Sequence, residues 1–246
     1  NFLDTAMGYG SSEEKIGNAN INNFNIITKV PSIEKKIRNI GSFLEGKIDL
    51  SLSKLKIDKI YALLVHNTND ILGENGHELF DAIKDLKSRN IISKLGISIY
   101  SPSEAYEVIK KFDIDLIQAP MNVFDNRLKR SGLLNEIKKR KIELHARSIF
   151  LQGLLLMKDK PIFFKRWQSL FDHWDYFLEQ NNLTKLEGSL LFANNNNLVN
   201  QFVIGVDSLE ELIEIVKARK KIKNVNLQLP FYNCEECLIN PSTWKT

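Results

Sequence analysis

The chain has 246 residues, enough for one sizeable domain with a buried core. Its 34 basic and 30 acidic residues leave a formal charge of +4, and no apolar run approaches the ~20 residues that a membrane span needs. Membrane and nucleic-acid partners are therefore not expected: the basic runs Lys138-Lys139-Arg140-Lys141 and Arg219-Lys220-Lys221 fall on or just after helical patterns, lack interleaved aromatics, and read as solvated helix faces and ends. The first residues show no basic segment followed by an apolar one, so no secretion signal is read and a cytoplasmic location is expected.

Short apolar runs alternate with amphipathic stretches along the chain. Phe2-Leu3-Asp4-Thr5-Ala6 predicts a buried strand, and a helix follows from Ser12 with Glu13 and Glu14 in its first turn. Residues 25–30 predict a strand stopped by Pro31, and residues 32–55 a long helical region. Residues 60–65 form a nearly pure apolar strand that ends at His66. A helix near 77–89 leads to a strand at 94–99. Ser101-Pro102-Ser103-Glu104 then reads as an N-cap, a proline at the first helical position and an acidic first turn. A strand at 116–119, a helix near 133–140 and a strand at 142–148 come next. A long polar and aromatic insertion covers 161–197, before a last strand at 201–206 and a last helix at 208–218.

Buried strands alternating with helices indicate a parallel sheet covered by helices. Seven strands in this order favour a closed (β/α)8 barrel over an open doubly wound sheet, and the length suits a single barrel of about 250 residues. The chain is read as one domain over residues 1–246. No G-x-G-x-x-G follows any strand, so the usual dinucleotide fingerprint is absent. Cys234 and Cys237 form a lone C-x-x-C. No further His or Cys cluster accompanies it and it opens no helix after a strand, so two reduced thiols and no metal site are expected.

In barrels of this kind, catalytic groups lie at the C-terminal ends of the strands. Four residues meet that criterion: Asp4 in the first strand, Tyr9 in the Gly-flanked loop after it, Lys29 at the end of the second and His66 at the end of the third. Singly, a loop Tyr, a strand-end Lys or a strand-end His has an ordinary structural reading. Asp4 is harder to dismiss, because an unpaired buried carboxylate is costly and asks for a cation. Lys29 is the natural partner. Together the four make a proton-donating unit. A phenol, with an ordinary pKa near ~10, is a poor acid at neutral pH, and a nearby ammonium favours its ionised form. Asp4 would hold Lys29 charged, His66 would orient a carbonyl oxygen, and Tyr9 would give the proton as hydride arrives.

The run Asp4-Thr5-Ala6-Met7-Gly8-Tyr9-Gly10-Ser11-Ser12-Glu13, followed by Ile16-Gly17, resembles the D-T-A-x-x-Y-G-x-S-E…G pattern of the aldo-keto reductase family. Thr28-Lys29 and Leu64-Val65-His66 follow in the family's order, and the resemblance covers nearly the whole chain. It implies a (β/α)8 TIM-type barrel that reduces an aldehyde or ketone to an alcohol with NADP(H) or NAD(H), with Asp4, Tyr9, Lys29 and His66 as its catalytic tetrad. Leu95-Gly96-Ile97-Ser98 is similar to the family's L-G-V-S strand, which makes Ser98, with Gln118, a holder of the nicotinamide carboxamide. Ile99 stands where members often have Asn. Arg147-Ser148 falls where many members have an aromatic residue and Ser, and the planar guanidinium of Arg147 would take over the stacking. Gly205, Asp207 and Ser208 match the cofactor loop after the last strand. Asp207, Glu210 and Glu211 stand where NADP-preferring members place basic residues, so a relaxed or NAD-leaning preference is expected. Members have a further βα unit before this pattern, so the resemblance implies a barrel lacking its first strand and helix.

The leading expectation is a reductase of small polar, sugar-like or similar carbonyls, with no metal, nucleic acid or membrane involved. The alternatives are a non-catalytic cofactor-binding regulatory subunit on the same fold, or an inactive fragment. The aromatic-rich stretch 161–197 reads either as helix packing or as a lid that shapes substrate choice.

Overall fold

A computed structural model describes residues 1–19, 23–34 and 37–244. They fall into two compact units, Asn1–Gln118 with Glu136–Glu143, and Ala119–Asn135 with Leu144–Thr246.

The first unit is built from βα repeats. Strands β1 (Phe2–Asp4), β2 (Asn25–Val30), β3 (Ile60–Val65), β4 (Ile92–Ser98) and β5 (Leu116–Pro120, which belongs to this unit up to Gln118) pair in chain order, each pair parallel. β3 buries every residue except the half-buried Tyr61, as a strand covered on both faces must. Gly96 of β4 allows close approach: a Cβ there would lie 2.5 Å from the Leu116 carbonyl oxygen.

The helices of this unit are α1 (Ser12–Asn18), α2 (Ile40–Leu55), α3 (Thr68–Leu72), α4 (Gly76–Ser88) and α5 (Pro102–Lys111). α2 buries Ile40, Leu44, Ile48, Ser51 and Leu55, one face at the helical period. It begins later than the predicted position 32. Residues 31–34 are not helical, and 35–36 lie outside the described residues. Asn39 sets the start, its side chain accepting from Ser42 N at 2.8 Å. α5 begins as the sequence predicts, with Ser101 as N-cap and Pro102 in the first turn.

The second unit holds α6 (Arg127–Arg130), most of β6 (Glu143–Arg147) and β7 (Gln201–Phe202), while α7 (Leu133–Arg140) spans the boundary. β6 and β7 are parallel, with His145 opposite Gln201. β7 is shorter than the predicted 201–206. The stretch 161–197 forms a 3-10 turn (Ile162–Trp167), α8 (Gln168–Gln180) and α9 (Lys185–Asn194), the last opened by a capping box of Thr184 and Glu187. Several of its aromatics pack inward, while Tyr176 is exposed. Phe164, Phe171 and Trp174 are buried, and Trp174 stacks on Phe177 with ring centroids 5.6 Å apart. α9 approaches so closely that a Cβ on Gly188 would lie 2.2 Å from Leu178. These observations support the packing reading of the stretch.

α10 (Leu209–Ile222) and the single turn α11 (Glu236–Ile239) follow. Cys237 lies in α11 and Cys234 just before it, both free thiols. Among the described residues, no helix is long and apolar enough to cross a membrane.

Candidate active site

Strand register brings the first pair together. Asp4 ends β1 opposite Ile27 of β2, so Lys29, two residues on, presents its side chain on the same face. Lys29 Nζ forms an ion pair with Asp4 Oδ1 and donates to the Thr5 carbonyl oxygen at 2.9 Å. The two side chains are 2% and 14% exposed, so the pair is nearly dry. Gln118 of β5 donates Nε2 to the other Asp4 oxygen at 2.7 Å. Both carboxylate oxygens are thereby engaged, as a buried carboxylate requires.

The chain leaves β1 through a tight loop. Tyr9 N donates to the Ala6 carbonyl oxygen, and Ser12 N to that of Tyr9, each at 3.0 Å. Gly10 sits at φ +57°, a left-handed value that glycine adopts without a Cβ clash. Thr5 Oγ1 donates to Ser12 Oγ at 3.0 Å and braces the loop. Tyr9 is half exposed, with its ring centroid 5.5 Å from Lys29 Nζ. His66, directly after β3, meets the same ring edge-on at 6.0 Å. Asp4, Tyr9, Lys29 and His66 thus gather at the C-terminal ends of three neighbouring strands.

A buried carboxylate behind this group escaped the sequence reading. Glu13 in α1 accepts from Thr28 Oγ1 of β2 at 2.8 Å and from Ser51 Oγ of α2 at 2.7 Å. It locks the helix that follows the Tyr9 loop to the residue before Lys29. Gly17 lets α1 rest on the end of α2, since a Cβ there would lie 2.1 Å from the Lys54 carbonyl oxygen. The one signal in the sequence was Ser51, a polar residue within the apolar stripe of α2.

Ser98 ends β4 in register with Gln118, and both are buried. Ile99 is fully buried and donates its backbone N–H to the Gln118 carbonyl oxygen at 2.9 Å. The amide nitrogen of Gln118 is given to Asp4, a use the sequence reading did not foresee.

The remaining predicted cofactor residues lie in the second unit. Arg147 ends β6 and donates to Ser148 Oγ at 3.3 Å. The chain then passes through left-handed backbone at Ser148 (φ 61°), Leu151 (φ 48°), Gln152 (φ 53°) and Gly153 (φ 80°). Three of these carry side chains, and such strain persists only where surrounding contacts impose it. Buried Asn122 supplies one such contact, donating to the Ser148 carbonyl oxygen at 3.1 Å. Gly205, Asp207 and Ser208 join β7 to α10. Ser208 caps α10 by accepting from Glu211 N at 3.2 Å, and Glu211 accepts from Asp207 N at 2.9 Å. Glu211 is therefore used in the cap, while Asp207 and Glu210 face solvent.

The aldo/keto reductase family model matches residues 1–226. No curated protein sequence matches the chain. Among solved structures, the chain is similar to the holo form of an aldo-keto reductase from Bacillus halodurans, with a TM-score of 0.77 and 20% identity over 93% of this chain and 78% of that one. It is also similar to the glycerol dehydrogenase from Gluconobacter oxydans, with a TM-score of 0.65 and 18% identity over 95% of this chain and 85% of that one. These likenesses show the fold, a barrel of the (β/α)8 type. The chain belongs to the aldo-keto reductase family.

Proposed function

We propose that this protein reduces an aldehyde or ketone to an alcohol, taking hydride from a nicotinamide cofactor and the proton from Tyr9. The observation that carries the reading is the nearly dry Lys29–Asp4 pair beneath the exposed Tyr9, with His66 edge-on to the same ring. Family membership supports oxidoreductase chemistry with a nicotinamide in general.

The residues at the strand ends fit such a cofactor. Ser98 and Gln118 are two buried polar side chains side by side at the ends of neighbouring strands. With its nitrogen held by Asp4, Gln118 keeps its amide oxygen as an acceptor for a carboxamide NH2. Arg147, Ser148, Gly205, Asp207 and Ser208 are the candidates for the rest of the cofactor by family resemblance. When bound, the reduced nicotinamide supplies the hydride.

The side chains do the remaining work. A carbonyl oxygen placed between Tyr9 and His66 gains negative charge as its carbon is reduced. His66 orients that oxygen, and the Lys29 ammonium, held by Asp4, stabilises the developing charge. Tyr9 Oη gives its proton to form the alcohol. Its exposure lets the phenol regain a proton from solvent.

The test follows cofactor oxidation by near-UV absorbance with small aldehydes, for the protein and for Tyr9→Phe. Turnover should fall by ~10²–10⁴ in the variant while cofactor binding persists. Equal turnover in both would remove Tyr9 as proton donor. Cofactor binding without turnover in the parent would favour a regulatory role on the same fold.

A further inference from the structure

The first unit holds a cleft of about 1040 Å³, the size of a large organic ligand's site. Every residue that lines it belongs to this unit. It lies where α4 and α5 end and β5 is about to begin, so it faces away from the strand ends that carry Tyr9 and His66.

Two helix faces look onto this cleft. Phe80, Lys84 and Lys87 follow one another at helical spacing on α4, as Tyr106 and Lys110 do on α5. The two helices run in the same direction, since each leads back between parallel strands. In each, an aromatic residue stands one turn before a lysine. The cleft therefore has an aromatic end and a cationic end. Buried Phe112 backs the aromatic end, its ring centroid 4.9 Å from that of Phe80, and Tyr106 is exposed.

Five cations line the cleft against three acids, an excess of two positive charges. Lys87 donates to both oxygens of Asp115 at 2.7 and 2.6 Å, and Arg140 donates to Glu136 at 2.6 Å. Lys84, Lys110 and Lys111 are exposed and have no acidic partner among the described residues, and no residue outside those has an acidic side chain. Asp113 is the third acid of the wall.

A hydrocarbon in this cleft would cover the rings and leave three neighbouring ammonium groups unneutralised. A small inorganic anion would meet exposed lysines alone, each worth little in water, and leave the apolar floor wet. A flat ring that carries a carboxylate, sulfonate or phosphate satisfies both ends at once.

We propose that this cleft is a separate binding site for an aromatic organic anion, with Phe80 and Tyr106 taking the ring and Lys84, Lys110 and Lys111 taking the charge. The proposal goes beyond the reductase reading and does not depend on it.

The test uses 4-benzoylbenzoate, an aromatic carboxylate that crosslinks on irradiation, and its neutral analogue 4-methylbenzophenone. Adducts on the whole protein are mapped by peptide mass spectrometry. The parent is compared with Tyr106→Ala and with the double variant Lys84→Gln, Lys110→Gln, all at exposed positions. The carboxylate should label residues 76–113 saturably. The double lysine variant should reduce that labelling by about fivefold and leave labelling by the neutral analogue within about twofold. Tyr106→Ala should weaken both probes alike. Carboxylate labelling confined to the neighbourhood of Tyr9 and His66, or labelling that never saturates, would overturn the proposal. A neutral analogue that labels the cleft as well as the carboxylate would overturn it too, by removing the role of the lysines.

Discussion

Replacing Lys29 with Met tests whether the Asp4–Lys29 pair holds the fold as well as the chemistry. Met fills much of the same volume but leaves Asp4 charged, with Gln118 as its remaining partner. Removing one partner of a buried ion pair costs ~3–5 kcal/mol. The 14% exposure of Asp4 and its retained hydrogen bond place this case near ~3 kcal/mol. With a urea slope of ~2–3 kcal/mol/M, the unfolding midpoint should fall by roughly 1 M. The double variant Asp4→Asn with Lys29→Met removes the stranded charge and lets Asn accept from Gln118, so it should recover most of that loss. Far-UV circular dichroism in urea reads all three proteins. A Lys29→Met loss below ~1 kcal/mol, or a double variant no more stable than the single, would refute the reasoning.

Two glycines should respond in opposite directions. Gly17→Ala forces a Cβ against backbone of α2 and should cost ~1–3 kcal/mol, whereas Gly46→Ala, in the same α2 with nothing within 4 Å, should gain up to ~1 kcal/mol in urea melts. Lys160 is held at a pKa of about 8, first by burial and then by the charge of Lys185. Below about 8 its charge is a penalty on the folded state, and the unfolded chain binds the extra proton between there and the ordinary 10.5, so stability rises with pH across that window. Lys160→Met should flatten that rise in midpoints measured from pH 8 to 10.5, and an unflattened rise would assign it to other groups. Asp207 and Glu210 face solvent near the α10 cap, so NADH should bind at least as tightly as NADPH; tighter NADPH in a fluorescence titration would rule that out.

The fold was largely legible because its signal is local. Apolar runs such as Ile60–Val65 and caps such as Ser101-Pro102 carry their meaning within a few residues. Asp4 and Tyr9 were singled out for the same reason, since one strand end and its loop contain both. Lys29 and His66 needed only the rule that parallel strands end on one side. The misses depend on distant partners. Glu13 reads as an ordinary first-turn acid until Ser51, 38 residues away, is placed beside it. The start of α2 turned on Asn39 rather than on the apolar pattern that begins earlier. Nothing in the residues Ser148, Leu151 and Gln152 announces left-handed backbone. The aromatics of 161–197 read first as core packing and second as a lid, and the close approach of Gly188 to Trp174 supports the first.

The hydrogen bond from Gln118 to Asp4 joins residues 114 apart in sequence. A contact of that span closes a very long loop, so it forms only after most of the intervening order is already in place. Helices and neighbouring strand pairs can assemble locally, but the acid that holds Lys29 is complete only when both ends of that loop meet. Recovery of catalytic competence during refolding should therefore trail recovery of helix content, and the interval between the two would time the closing step of the chain.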